Sequence, residues 1–229
     1  MMKKYYFTLT ELLVTMGIII ILAGLAIPAV LTAQAKGRVT AAKADMTAIL
    51  TALKSMEGTY RKMVNANGHF GTVNASAVDS SSSDGGTTYN YVRLGFGSSD
   101  SVTAYNYFIV ELTNPKKFTS SENLNINRRR IAFLDPKTEY DPVTGSNAAG
   151  NISDNLAVDP ERLWRDPWGN PYVIIINTNF TGAIRDPRNT GDYISANAIV
   201  YSVGPNGVDD NGNSELNDDG TGDDICSWR

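Results

Sequence analysis

Between Asn206 and Asp224 this 229-residue chain carries seven acids (Asp209, Asp210, Glu215, Asp218, Asp219, Asp223 and Asp224) and no lysine or arginine. Like charges crowded this way repel one another, and the sequence leaves two outcomes open. In one, the stretch is a solvated, disordered acidic loop. In the other, the apolar run before it and Ile225, Cys226 and Trp228 after it anchor both ends, and a cation relieves the repulsion. An oxygen-only donor set of carboxylates, Asn206 and backbone carbonyls suits Ca²⁺, a hard ion. The pattern is not an EF-hand. Asp209, Asn211 and Asn213 match its start, but the glycine falls at the fourth position and no acid occupies the twelfth.

Other chemistry is poorly supplied. With one histidine, His69, and one cysteine, Cys226, the inventory excludes a catalytic triad, a histidine-cluster or cysteine-rich metal site and an internal disulfide framework. Asp135, Glu139 and Asp141 lie near prolines in apparent loop, and nothing sets two of them across a pocket. No catalysis is expected. Gly95-Phe-Gly lacks the third glycine of a dinucleotide loop. Asn74, Asn151 and Asn179 open N-x-Ser/Thr triplets, which matter only in a host that glycosylates them. The net charge of −4 and a single basic cluster, Arg128 to Arg130, give no reason to expect a nucleic-acid partner; the arginines read as a solvated strand entrance.

A further carboxylate, Glu11, heads the most apolar stretch of the chain. Leu12 to Ala35 contains no charged residue, and Leu12 to Leu31 has the length of a membrane-spanning helix. The lysines of Met-Met-Lys-Lys precede it, which predicts a cytoplasmic N-terminus with the rest of the chain sent outward. The apolar run is too long for a signal-peptide core. Beyond Pro28, apolar residues recur at Val39, Ala42, Met46, Ile49, Leu53 and Met56, one face of an amphipathic helix, with Gly58 as its C-terminal cap. A helix from about Thr8 to Glu57 follows, on the order of 75 Å long at 1.5 Å per residue. Pro28 cannot donate its backbone N–H and predicts a kink or local loosening. Gly17 and Gly24 add weakness or form a helix-packing face.

After Gly58 the composition turns to Gly, Ser, Asn, Asp and Tyr, and Ser80 to Gly86 reads as a flexible surface loop. Tyr105, Phe108, Ile109 and Leu112 predict a short second helix ending before Pro115. Ile131 to Leu134, Tyr172 to Ile176 and Ala198 to Val203 predict strands, with a tight turn at Asp166-Pro-Trp-Gly-Asn-Pro before the second. The expected fold class is α+β: a long helix whose outer half lies on a small antiparallel sheet. The expected organisation is a leader over 1–6, the long helix over 7–57 with its membrane segment at about 12–31, and a globular domain over 58–229. The acidic loop occupies 204–228 of that domain.

Phe7-Thr-Leu-Thr-Glu-Leu-Leu, with Glu11 fifth and Pro28 twenty-second from Phe7, resembles the N-terminal signal of type IV pilins and type II secretion pseudopilins. Separately, Asp166-Pro-Trp-Gly-Asn-Pro-Tyr172, Tyr201-Ser-Val-Gly-Pro-Asn-Gly207 and Asp223-Asp-Ile-Cys-Ser-Trp228 resemble the C-terminal half of the major pseudopilin family of type II secretion. The resemblance implies a pilin-like fold and cleavage and methylation at Tyr6–Phe7 by a prepilin peptidase. It implies that Glu11 pairs with the amine of a neighbouring subunit in a helical filament. It also implies inner-membrane residence with a periplasmic domain, and partners in minor pseudopilins and an inner-membrane secretion platform. For Ca²⁺ it implies the Val203 carbonyl, Asn206, Asp223 and Asp224 as ligands. An acid at a helix's membrane entrance is costly unless paired or protonated, which agrees with the pairing; its alternative is an interfacial acid reaching headgroups and water. Two positions depart from the family pattern. Tyr6 stands where leaders usually end in glycine, and Asn206 stands where the family tends to have aspartate. The inserted acids Asp209, Asp210, Asp218 and Asp219 are candidates to restore that charge. Other readings of the same residues are a surface pilin for adhesion or DNA uptake and a membrane-anchored binding module that does not polymerise.

Overall fold

The computed structural model describes residues 8–61, 82–84, 87–89, 91–95, 105, 108–109, 112–113, 127, 129–135, 164–177, 181–188, 191–215 and 222–228. The chain divides into two compact units, Met1–Thr40 and Ala41–Arg229. One helix, α1, spans Leu9–Tyr60 and contributes to both.

In the first unit, every described side chain from Thr8 to Arg38 is exposed, including the apolar run Leu12 to Leu31. α1 is long and apolar enough to cross a membrane, and none of its most apolar window is buried within the chain. It runs on through Pro28, and the Thr32 hydroxyl donates to the Pro28 carbonyl at 3.0 Å. Threonine hydroxyls turned back onto carbonyls at Leu12 and Pro28 leave the outer surface of this segment without free donors there, as an apolar solvent requires.

In the second unit the expected stripe is the buried face of α1: Ala42, Met46, Ile49, Leu53 and Met56, joined by Ala52. Val39 is half-buried. The helix ends one turn later than expected. Gly58 stays helical, and Arg61 takes the left-handed position (φ 51°) with its N–H on the Glu57 carbonyl at 2.7 Å. Polar tethers hold the helix as well. The Tyr172 hydroxyl donates to Asp45 Oδ2 at 2.7 Å, Asn197 Nδ2 to Glu57 Oε1 at 3.0 Å, and the Tyr60 hydroxyl to Asn127 Oδ1 at 2.7 Å.

The second unit also holds a hairpin, β1 (Ser82–Asp84) with β2 (Thr87–Tyr89), and a four-stranded antiparallel sheet. The sheet order is β3 (Tyr91–Leu94), β4 (Val173–Asn177), β7 (Ala198–Ser202), β8 (Ile225–Cys226), with a second hairpin of β5 (Ile184–Arg185) and β6 (Tyr193–Ile194). β4 is buried along its whole length. Val173 and Ile175 join Ile199, Tyr201, Val203 and Cys226 in one core, while Ile174 and Ile176 point to the opposite face and are equally buried. A strand covered on both sides reads as a continuous apolar run, which is why Val-Ile-Ile-Ile shows no alternation. Tyr105, Phe108, Ile109 and Leu112 are helical and buried, as their spacing predicts.

Two expectations fail. Ile131 to Leu134 forms no strand: the Phe133 and Leu134 N–H groups both donate to the Leu112 carbonyl, and Ile131 is exposed. The segment satisfies the end of the short helix instead of joining a ladder. Arg129 and Arg130 beside it are exposed, with Arg129 lying 5.9 Å above the Tyr60 ring. The serine run, expected as loop, supplies β1; Asp84 pairs with Thr87, and the two residues between are glycines, the type that two-residue hairpin loops select.

Candidate functional site

At the head of α1, Thr8 and Glu11 form a reciprocal pair. The Glu11 backbone N–H donates to Thr8 Oγ1 at 3.3 Å, and Glu11 Oε2 accepts both the Thr8 N–H at 2.9 Å and the Thr8 hydroxyl at 2.7 Å. This is a capping box, Thr8 at the cap and Glu11 three residues on, and it satisfies donors that the first helical turn leaves open. The signal Thr-Leu-Thr-Glu is present in the sequence and gives Glu11 a capping role besides its place at the head of the apolar run. Tyr6 and Phe7 lie outside the described residues.

The second candidate is the acidic loop, and three distant segments build its frame. The turn 166–171 is organised by Asp166, whose Oδ1 accepts the N–H groups of Trp168 (3.0 Å) and Asn170 (2.7 Å). Asp166 Oδ2 accepts the Ser202 hydroxyl at 2.6 Å, and Ser202 Oγ accepts the Gly204 N–H at 3.1 Å. One carboxylate thus ties the turn to the exit of β7. Burial raises the Asp166 pKa, opposed by the hydrogen bonds from Ser202 and the turn backbone. Asn170 Nδ2 reaches the Gly204 carbonyl at 3.4 Å. At the far end, Trp228 packs edge-on against Tyr201 with ring centroids 5.9 Å apart. The same Trp228 ring would meet a Cβ placed on Gly212 at 2.9 Å, where φ is +75°, so the loop can pass only as glycine.

Within this frame, carboxylates of Asp210, Asp223 and Asp224 each offer an oxygen, all within 4.8 Å of one another. Each is also held by backbone: Asp210 Oδ2 accepts the Gly222 N–H at 2.6 Å, Asp223 Oδ2 the Asn206 N–H at 3.0 Å, and Asp224 Oδ2 the Gly212 N–H at 2.7 Å. Of the remaining oxygens, Asp223 Oδ1 and Asp224 Oδ1 are buried and accept no hydrogen bond. Asp224 is only 2% exposed. Burial pushes its carboxyl up to about 7, and the charges of Asp209 and Asp210 add to this against the Gly212 hydrogen bond. Buried carboxylate oxygens without donors are destabilising as they stand, and a hard cation is the group that satisfies them. The three carboxylates could therefore hold a metal ion, and their hard oxygens are of the kind that suits Ca²⁺.

Residues 204–215 and 222–228 of the loop are described, and 216–221, including Asp218 and Asp219, lie outside the described residues. Asp209 does not join the cluster. Its Oδ2 pairs with Arg93 from β3, and its Oδ1 accepts the Tyr201 hydroxyl and the Asn211 N–H, both at 2.9 Å. The Asn206 side chain is turned to its own backbone, Oδ1 accepting the Val208 N–H at 2.7 Å. Val203 is buried at the end of β7, beside Gly204, whose backbone lies against the Asp223 carbonyl. Cys226 is buried, its thiol donating to the Gly212 carbonyl at 3.0 Å, and burial with the Asp224 charge pushes its pKa up to about 12. His69, Glu139, Asp141, Asn74, Asn151 and Asn179 lie outside the described residues, and Asp135 is exposed. No protein-family model, no curated protein and no solved structure matches this chain.

Proposed function

We propose that the chain is the structural subunit of a pilus-like filament of a type II secretion system, packed through its N-terminal helix and acting in protein export. The observation that carries this reading is α1 itself: an apolar run with no buried window in its own chain, headed by a single acid and followed by a helical stripe committed to a globular unit. Such a surface has two partners in sequence, lipid before assembly and copies of the same helix after it. In that arrangement the protein is held in the bacterial inner membrane, N-terminus cytoplasmic and globular unit periplasmic. Prepilin peptidase removes residues 1–6, and the new amine of Phe7 faces Glu11 of a neighbour. Minor pseudopilins and the inner-membrane secretion platform are its working partners. Asp223 and Asp224, with the Val203 carbonyl and the Asn206 segment, hold Ca²⁺, which relieves part of the loop's repulsion.

The Thr8–Glu11 capping box favours a second reading, because Glu11 is already satisfied inside its own chain. Under it the protein is a membrane-anchored module that keeps residues 1–6 and does not polymerise. The mass of the N-terminal peptide, from protein made in its own host, separates the two. A chain beginning at N-methyl-Phe7 is expected. An intact Met-Met-Lys-Lys-Tyr-Tyr leader would remove the amine that Glu11 pairs with and leave the module.

A further inference from the structure

The cation reading carries one consequence that the family-like motif does not contain, and it rests on that reading. The motif's ligand set includes Asn206, but here Asn206 is occupied twice by structural bonds: its N–H holds Asp223 Oδ2 at 3.0 Å, and its Oδ1 accepts the Val208 N–H at 2.7 Å. It shapes the chain around the site rather than facing into it. Of the inserted acids described, Asp209 is consumed by Arg93 and Tyr201. Asp210 remains, with an oxygen within 4.8 Å of those of Asp223 and Asp224, and its Oδ2 fixed by the Gly222 N–H from the strand side of the loop. An acidic cluster alone is no site. Here a second observation points to a ligand: Asp224, 2% exposed, carries a buried Oδ1 with no hydrogen-bond partner, and Asp223 Oδ1 beside it is buried and unpartnered as well.

We infer that Asp210, and not the Asn206 side chain, completes the site, so that one divalent cation is held by the carboxylates of Asp210, Asp223 and Asp224. Oxygens bound to one Ca²⁺ at about 2.3–2.6 Å lie no more than about 5 Å apart, a span the three carboxylates satisfy. The insertion thereby returns the charge that Asn206 withholds, from a position four residues further along the loop. The adjacent Asp209–Arg93 pair sets the direction of Asp210: it fixes the preceding residue to β3, so the loop enters the site from the sheet.

The test is calorimetric titration of CaCl₂ into the full chain in detergent micelles after chelator treatment. The wild type is compared with Asp210→Asn and Asn206→Ala. Asp210→Asn keeps an oxygen for the Gly222 N–H and removes the charge, so folding is preserved. It should weaken Ca²⁺ binding by roughly tenfold or more, while Asn206→Ala changes it by less than about threefold. A second readout separates ligation from a structural role. In chelator, Asp210→Asn should leave the melting temperature unchanged or raise it, because it relieves repulsion, yet it should shrink the rise that Ca²⁺ produces. Wild-type binding with Asp210→Asn unaffected, or with Asn206→Ala the weaker of the two, overturns the inference and leaves the cation reading standing. No wild-type binding at millimolar CaCl₂ overturns both.

Discussion

A Cβ added to Gly95 would lie 2.0 Å from the Tyr172 carbonyl oxygen, at a φ of +114° that side chains rarely adopt. Gly95 directly follows β3 where the chain passes the start of β4, so neither neighbour can give way without moving backbone. Gly95→Ala is expected to destabilise the second unit by roughly 2 kcal/mol or more, read from denaturant unfolding followed by tryptophan fluorescence. All three tryptophans, Trp164, Trp168 and Trp228, report on that unit. The sequence flagged Gly95 only as part of an incomplete dinucleotide loop, since close approach of two strands distant in the chain leaves no local mark. The choice of Asp210 among the inserted acids was hidden for the same reason. It depends on Arg93, a residue on a separate strand, claiming Asp209. Asp223 and Asp224 were singled out only through the resemblance, and the structure brings their carboxylates within 4.8 Å of that of Asp210.

At the scale of elements, α1 was the most readable part of the chain. Its stripe has the helical period, and five of its six predicted members are buried. Six described strands escaped notice: β5, β6 and β8 span two residues each, too few to display an alternation, β1 and β2 span three, and β3 spans four. Ile131 to Leu134 misled because β-branched and apolar composition describes any half-buried extended chain, and only the Leu112 carbonyl decides where its N–H groups go. The stripe's energetic role is directly testable. Leu53 is fully buried on α1, and Leu53→Ala should cost about 2–5 kcal/mol, the range for a leucine truncated in a packed core. An exposed neighbour such as Lys54→Ala should change stability by less than about 0.5 kcal/mol, measured in the same unfolding experiment. Equal effects at the two positions would mean that this face does not hold the helix to the sheet.

For the whole molecule, the acid at the head of α1 has two available roles that make opposite demands on its charge. As a cap, Glu11 needs an oxygen that accepts the Thr8 N–H, and glutamine supplies one. As the partner of a neighbour's amine in an apolar surround, it needs to be an anion, since an uncharged amide leaves the amine unpaired where solvation is poor. Glu11→Gln therefore keeps the helix start and removes only the intersubunit pairing. The most direct measurement of the filament account is the yield of filaments sheared or isolated from host cells that make Glu11→Gln in place of the wild type, with membrane content and unfolding of the second unit checked alongside. If Glu11 pairs subunits, Glu11→Gln gives normal membrane levels, unchanged unfolding and a loss of filaments. Filaments at wild-type yield from Glu11→Gln would contradict that pairing and leave Glu11 as the cap of a membrane anchor.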